Sequence, residues 1–160
     1  MSSLKDIIVA LLCALSETRS ASLPRLIKLL YLFDWTSVLN FHQPTPRIVW
    51  SCGICGPTSE EIIKVIQNNP DAFYIYKKDN YVGGEKTMVR CADSSPESTL
   101  SENERRALSH VVSATKKMRW DDLTLLISST MPIIISNFGE PLDLSRAAIL
   151  RNQALGRMGQ

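Results

Sequence analysis

The sequence predicts an α+β fold, mainly α: a compact domain of five or six helices with one small β-hairpin. Three observations predict it. Apolar residues recur at helical spacing in several separate stretches. Patterns of the Ser/Thr-x-x-Glu kind, which cap helices, stand in front of two of them. The β-prone residues cluster in the middle of the chain, around a Gly-Gly pair. A chain of 160 residues suits one domain and buries roughly 70% of its unfolded surface, enough for a core without a staple. The expected domain spans 1–155, with 156–160 as a frayed tail.

Leu4, Ile7, Ile8, Leu11, Leu12 and Leu15 make the stripe of a first helix. Ser2 or Ser3 caps it, and Asp6 in the first turn suits the helix dipole. Val9, Ala10, Cys13 and Ala14 leave little polar face. Such a helix lies at the centre of a core or under a partner. The run has the length of a signal peptide, but Asp6 interrupts its start and no small-x-small site follows Leu15. It is too short to span a bilayer. The expectation is a cytoplasmic protein whose Cys13, Cys52, Cys55 and Cys91 stay reduced.

After a polar break over 16–22, Ser22 caps a second helix with Pro24 in its first turn. Leu23, Leu26, Ile27, Leu30 and Phe33 form its inner stripe. Tyr31, Asp34, Trp35 and Val38 continue on an adjoining face, to an end near Asn40. A loop over 42–46 leads to a short β-prone stretch, Arg47 to Trp50, and Cys52 to Pro57 reads as a turn. Thr58-x-x-Glu61 opens a short helix that Asn68-Asn69-Pro70 ends. Phe73 to Tyr76 reads as a strand, and Tyr81-Val82 pairs with Thr87 to Arg90 across Gly83-Gly84. A polar linker over 93–99 follows. Ser101-x-x-Glu104 opens a helix ending near Met118, and Asp121 or Asp122 starts another, which Pro132 interrupts. Ile133 to Ile135 is ambiguous between strand and buried helix. Leu144 to Leu155 is the final helix.

The net charge of +2 is too small to point to nucleic acid. Lys77-Lys78, Arg105-Arg106 and Lys116-Lys117 are short, have acids nearby and read as solvated faces. The helix after Thr58 has Lys64 against Glu60 and Glu61, a poor recognition helix, although a DNA-binding regulator remains an alternative. The two histidines, His42 and His110, belong to no nucleophile motif, and no phosphate loop or His-Glu-x-x-His is present. These observations give no catalytic residue and call for no cofactor. Cys52-Gly-Ile-Cys55 is the one motif with chemistry of its own, a redox dithiol or half of a zinc site. The dithiol reading needs a helix starting at the first Cys, whereas the start signal lies at Thr58. The zinc reading needs two more ligands, for which His42, Cys91 and Cys13 are the candidates. What remains is spare apolar surface, with Tyr31, Trp35 and Trp50 read either as the aromatic anchors of a protein that binds another protein or as core residues.

Lys28-Leu-Leu-Tyr-Leu-Phe-Asp34 resembles the K-L-L-Y-x-x-D helix of the Panacea, or SocA-like, antitoxin domain. In that family a short strand, then Gly-Pro and a helix follow. Here Arg47 to Trp50 precedes Gly56-Pro57-Thr-Ser-Glu-Glu-Ile62. Leu100-Ser-Glu-Asn-Glu104 and Trp120-Asp-Asp-Leu123 follow in the family's order, with Ser129-Thr130 standing where the family has Thr-His. The resemblance covers most of 20–132. It implies an antitoxin that neutralises a toxin by direct contact, the toxin being encoded in the same operon, in a phage or prophage setting. It implies no enzyme, no cofactor and no membrane partner. A homodimer is compatible with it. The expected partner-binding residues are Tyr31, Asp34, Trp35, Trp50, Gly56 and Pro57, with Gly56 supplying a special backbone angle and Pro57 fixing the approach to the helix.

Overall fold

The computed structural model describes residues 2–42, 48–92 and 99–158. Residues 43–46 of the loop expected over 42–46, Arg47 and linker residues 93–98 lie outside them. Helix α1 (Leu4–Leu15) opens with a reciprocal capping box: the Ser3 hydroxyl accepts from the Asp6 amide at 3.1 Å, and the Asp6 carboxylate accepts from the Ser3 amide at 3.2 Å. Leu4, Ile7, Ile8, Val9, Ala10, Leu11 and Leu12 are all buried. The nearly all-round apolar helix is therefore part of the core.

The polar break contains a strand the sequence did not announce, β1 (Ser20–Ser22). Ser-Ala-Ser has little β-propensity of its own; the segment is extended because it pairs with a later strand. Helix α2 (Leu23–Phe41) starts under the Ser22 cap and ends on His42, whose left-handed backbone (φ 57°) turns its amide onto the Val38 carbonyl at 3.0 Å. It is buried nearly all round, Lys28, Leu29 and Leu32 included, because most other elements pack on it.

The reading of residues 47–57 needs correction. The strand starts at Ser51, not within 48–50, and the expected turn is a hairpin of β2 (Ser51–Gly53) and β3 (Gly56–Thr58) around Ile54-Cys55. The hairpin is extended on its other edge. The Leu142 amide donates to the Trp50 carbonyl, the Cys52 amide to the Glu140 carbonyl and the Gly139 amide to the Cys52 carbonyl, each at 2.8 Å. A distant segment thus imposes extended structure on a glycine-rich stretch. Helix α3 (Glu60–Asn68) is capped at Ser59 rather than Thr58, which ends β3; the Ser59 hydroxyl donates to the Glu61 carboxylate at 2.8 Å.

The larger sheet also differs from expectation. Strand β4 (Phe73–Asp79) runs past Tyr76 and pairs antiparallel with β5 (Glu85–Cys91), from Phe73↔Cys91 to Asp79↔Glu85. Tyr81 and Val82 sit in the connecting turn, exposed, instead of pairing. Strand β1 completes the order β1-β5-β4 through Ala21↔Val89. Helices α4 (Glu102–Thr115), α5 (Trp120–Ser128), α6 (Met131–Ile134) and α7 (Leu144–Met158) follow. Helix α4 stops short of Met118, and α7 runs past Leu155. Seven helices are present among the described residues, against five or six expected. The addition is α6, a single turn started by Pro132 at a position where its missing N–H matters least. The fold is α+β and mainly α, around one buried cluster that draws on every helix but α6, which packs against it through Met131 and Ile133.

Candidate functional site

One row of α2 side chains organises a cleft, each member holding a different part of the chain. The Lys28 ammonium donates to the Cys55 carbonyl at 2.5 Å, fixing the tip of the β2–β3 hairpin. The Tyr31 hydroxyl meets the Thr130 hydroxyl at 2.7 Å; Thr130 Oγ1 donates onward to the Ile127 carbonyl at 2.6 Å, so Tyr31 is the donor of the first bond. This fixes the break between α5 and α6. The Trp50 indole N–H donates to Asp34 Oδ2 at 2.8 Å, fixing the segment that leads into β2. The Tyr31 and Trp50 rings pack edge to face, with centroids 5.5 Å apart and planes at 85°.

Tyr31, Asp34, Trp35 and Trp50 are all buried. A partner reaches them only through the surface they position. Burial raises the Tyr31 phenol above its ordinary pKa, opposed by its bond to Thr130. Gly56 has φ +109°, and a Cβ there would lie 3.1 Å from Lys28 Nζ. The special backbone angle is present, but it serves the end of the hairpin turn; α3 starts only at Glu60. Pro57 is buried in β3, paired with Cys52.

The frame encloses a cleft of about 350 Å³ between the hairpin, α5 and α6. Lys28, Cys52, Ile54, Trp120, Ile127 and Ile133 line it. Its rim is apolar and accessible: Ile54 at the hairpin tip is 87% exposed and Trp120 is 43% exposed. Phe138, next to Gly139 whose amide donates to the Cys52 carbonyl, is also exposed. Lys28 lies 5.1 Å from the centroid of the Trp120 ring, a cation–π contact. Burial lowers the Lys28 pKa, opposed by its charge interaction with Cys55.

Lys28, Ile54 and Trp120 were not among the residues expected at a site. The signal for Lys28 was available: a lone cation between Leu26 and Phe33 in an otherwise apolar stretch. Ile54 could not be placed without knowing that Cys52 to Pro57 is a hairpin, nor Trp120 without knowing what faces the start of α5.

The Cys-x-x-Cys pair lies on the hairpin, Cys55 exposed and Cys52 half-buried, and both are thiols. No helix begins at Cys52, so the dithiol lacks the helix N-terminus that activates a thioredoxin-type thiol. Among the described residues no group of three or more His, Cys, Asp or Glu is placed to hold a metal. Lys64 of α3 pairs with Glu60 at 3.9 Å, leaving that helix little basic face. No described helix is long and apolar enough to cross a membrane.

No curated protein and no solved structure matches the chain at a significant level. The family described as antitoxin SocA-like, Panacea domain, matches residues 26–131, which run from the start of α2 to the start of α6 and include every residue of the framework. With the match covering about two thirds of its length, the chain belongs to the SocA-like antitoxin family as a Panacea domain.

Proposed function

We propose that the protein is an antitoxin that neutralises a protein toxin by direct binding and performs no catalysis of its own. The carrying observation is the cleft of the matched domain: a braced frame with apolar residues, Ile54 and Trp120, left exposed on its rim. Large side chains exposed around a concave apolar patch are what an interface uses as anchors. The expected partner is a toxin encoded in the same operon, in a phage or prophage setting, and the complex forms in the cytoplasm. Tyr31, Asp34, Trp35, Trp50, Gly56 and Pro57 contribute by holding the contact surface in shape.

The test is growth rescue. Cells expressing the neighbouring gene alone should stop growing, and co-expression of this chain should restore growth and yield a complex on affinity purification. The Ile54→Asp chain should fold normally, because the side chain is 87% exposed, and should fail to rescue. If the wild-type chain neither rescues nor binds a neighbour's product, the antitoxin reading is wrong.

A further inference from the structure

The floor of the cleft holds an electrostatic asymmetry. Lys28 is only 4% exposed, and among the described residues it makes no ion pair. Its partners are the Cys55 carbonyl and the Trp120 ring. An ammonium carries three donors, and one is accounted for by that carbonyl. Buried charges are ordinarily paired, since taking an ion out of water without a counter-charge is unfavourable. The Cys55 carbonyl needs a donor but not a charge, and a neutral donor would hold it without that penalty, so the positive charge calls for an explanation beyond bracing the hairpin. Asp121 and Asp122, the acids of the first turn of α5, do not line the cleft.

We propose that the cleft recognises an Asp or Glu side chain carried by a segment of the partner protein between apolar residues, with Lys28 receiving the carboxylate. This deepens the antitoxin reading and rests on it. Charge complementarity selects the acid. In a cleft with apolar walls an ammonium–carboxylate pair is stronger than in water. The rim selects a protein segment over a small anion: Ile54 and Trp120 gain from burial only if apolar groups flank the carboxylate, which phosphate does not provide. Thr124 and Ser128 also line the cleft, the Ser128 hydroxyl being turned back onto the Thr124 carbonyl of its own helix at 2.8 Å.

The experiment titrates the full chain with acetyl-Leu-Glu-Leu-amide, with the same peptide carrying Gln for Glu, and with inorganic phosphate. The readout is NMR shifts of the Trp120 indole and the Cys55 and Gly56 amides. The Glu peptide should bind about ten-fold more tightly than the Gln peptide. In Lys28→Met, checked for folding by circular dichroism, that preference should vanish. Equal binding of the two peptides, no binding of the Glu peptide, an undiminished preference in Lys28→Met, or phosphate binding as tightly as the Glu peptide would each overturn the proposal. The wild-type comparison of Glu and Gln decides even if the variant does not fold. Growth rescue remains a separate readout. Rescue without a Glu preference refutes the acidic segment and leaves the antitoxin; a Glu preference without rescue removes the antitoxin.

Discussion

The Tyr31–Thr130 bond lets two substitutions, made singly and together, interrogate the frame. Both residues are buried and their hydroxyls are 2.7 Å apart. Tyr31→Phe removes the donor, but Thr130 keeps its bond to the Ile127 carbonyl at 2.6 Å. The loss is an ordinary net hydrogen bond, about 1 kcal/mol. Thr130→Val removes the acceptor and strands the Tyr31 hydroxyl in the core. That should cost about 2–3 kcal/mol, because a buried donor without a partner bears its full desolvation penalty. The double variant has no stranded phenol, so it should be no less stable than Thr130→Val alone. The two single effects then sum to roughly 1 kcal/mol more than the double, a coupling well above the scatter of independent sites. Urea unfolding followed by circular dichroism at 222 nm measures all four corners. Effects that add to within about 0.5 kcal/mol would refute the bond as a working brace. The same pair sets an alkaline limit. The folded-state pKa of Tyr31 is raised, mainly by burial, so the unfolded chain loses its phenolic proton first. The stabilisation is fully present below about pH 10, the ordinary tyrosine value, and is lost as pH rises above it. Tyr31→Phe should flatten that part of the decline; an unchanged slope would show that other groups cause it.

Gly56→Ala combines φ +109° with a Cβ 3.1 Å from Lys28 Nζ and should lower stability by about 1–3 kcal/mol. Gly83→Ala is the control: φ is +80° but nothing lies within 4 Å, so the loss should be smaller, and equal losses in thermal melts would show that the Lys28 approach is immaterial. Trp120→Ala should weaken a partner complex at least about ten-fold by calorimetry, with little change in melting temperature because the ring is 43% exposed. Unchanged affinity would remove Trp120 from the interface.

The parts of the fold legible in the sequence were those set by local chemistry. The Ser3–Asp6 and Ser101–Glu104 patterns cap helices where expected. Most of the apolar stripes of α1 and α2 are buried as their spacing requires, with Leu15, Leu23 and Ile27 half-buried at the edge of the core. What was not legible came from partners distant in the chain. Strand β1 exists because β5 accepts it, and the 139–142 segment helps to draw β2 out of a glycine-rich stretch. Propensity carries no record of either pairing. The same limit applies to the site. Tyr31 and Trp50 looked like anchors because they are aromatic, and Asp34 was expected beside them from the family pattern. They stand out because a polar atom in the core must be matched, and each is matched by one of the others or by Thr130.

That pairing separates two jobs along the matched region. Lys28, Tyr31 and Asp34 step along α2 three residues at a time and hold the Cys55 carbonyl, Thr130 and Trp50 respectively. They fix where the hairpin, α5 and α6 stand. Of the side chains those elements turn outward, Ile54 is 87% exposed and bears little of that load, while Trp120 shares only its ring contact with Lys28. Exchanging them alters what the cleft fits without disturbing what holds it open, whereas a change in the row moves every wall at once. One frame can therefore carry different rims. Lys28 belongs to both parts: its carbonyl bond braces the hairpin, while its charge faces whatever enters. Lys28→Met should loosen the hairpin and abolish charge selectivity together. Lys28→Arg keeps the charge but replaces a compact ammonium with a larger planar group beside Gly56, so it should disturb the hairpin while retaining the preference for Glu over Gln. Hairpin amide exchange read alongside the peptide titration separates the two roles. If Lys28→Arg loses the preference as completely as Lys28→Met, selectivity rests on the shape of the hairpin and not on the charge beneath it.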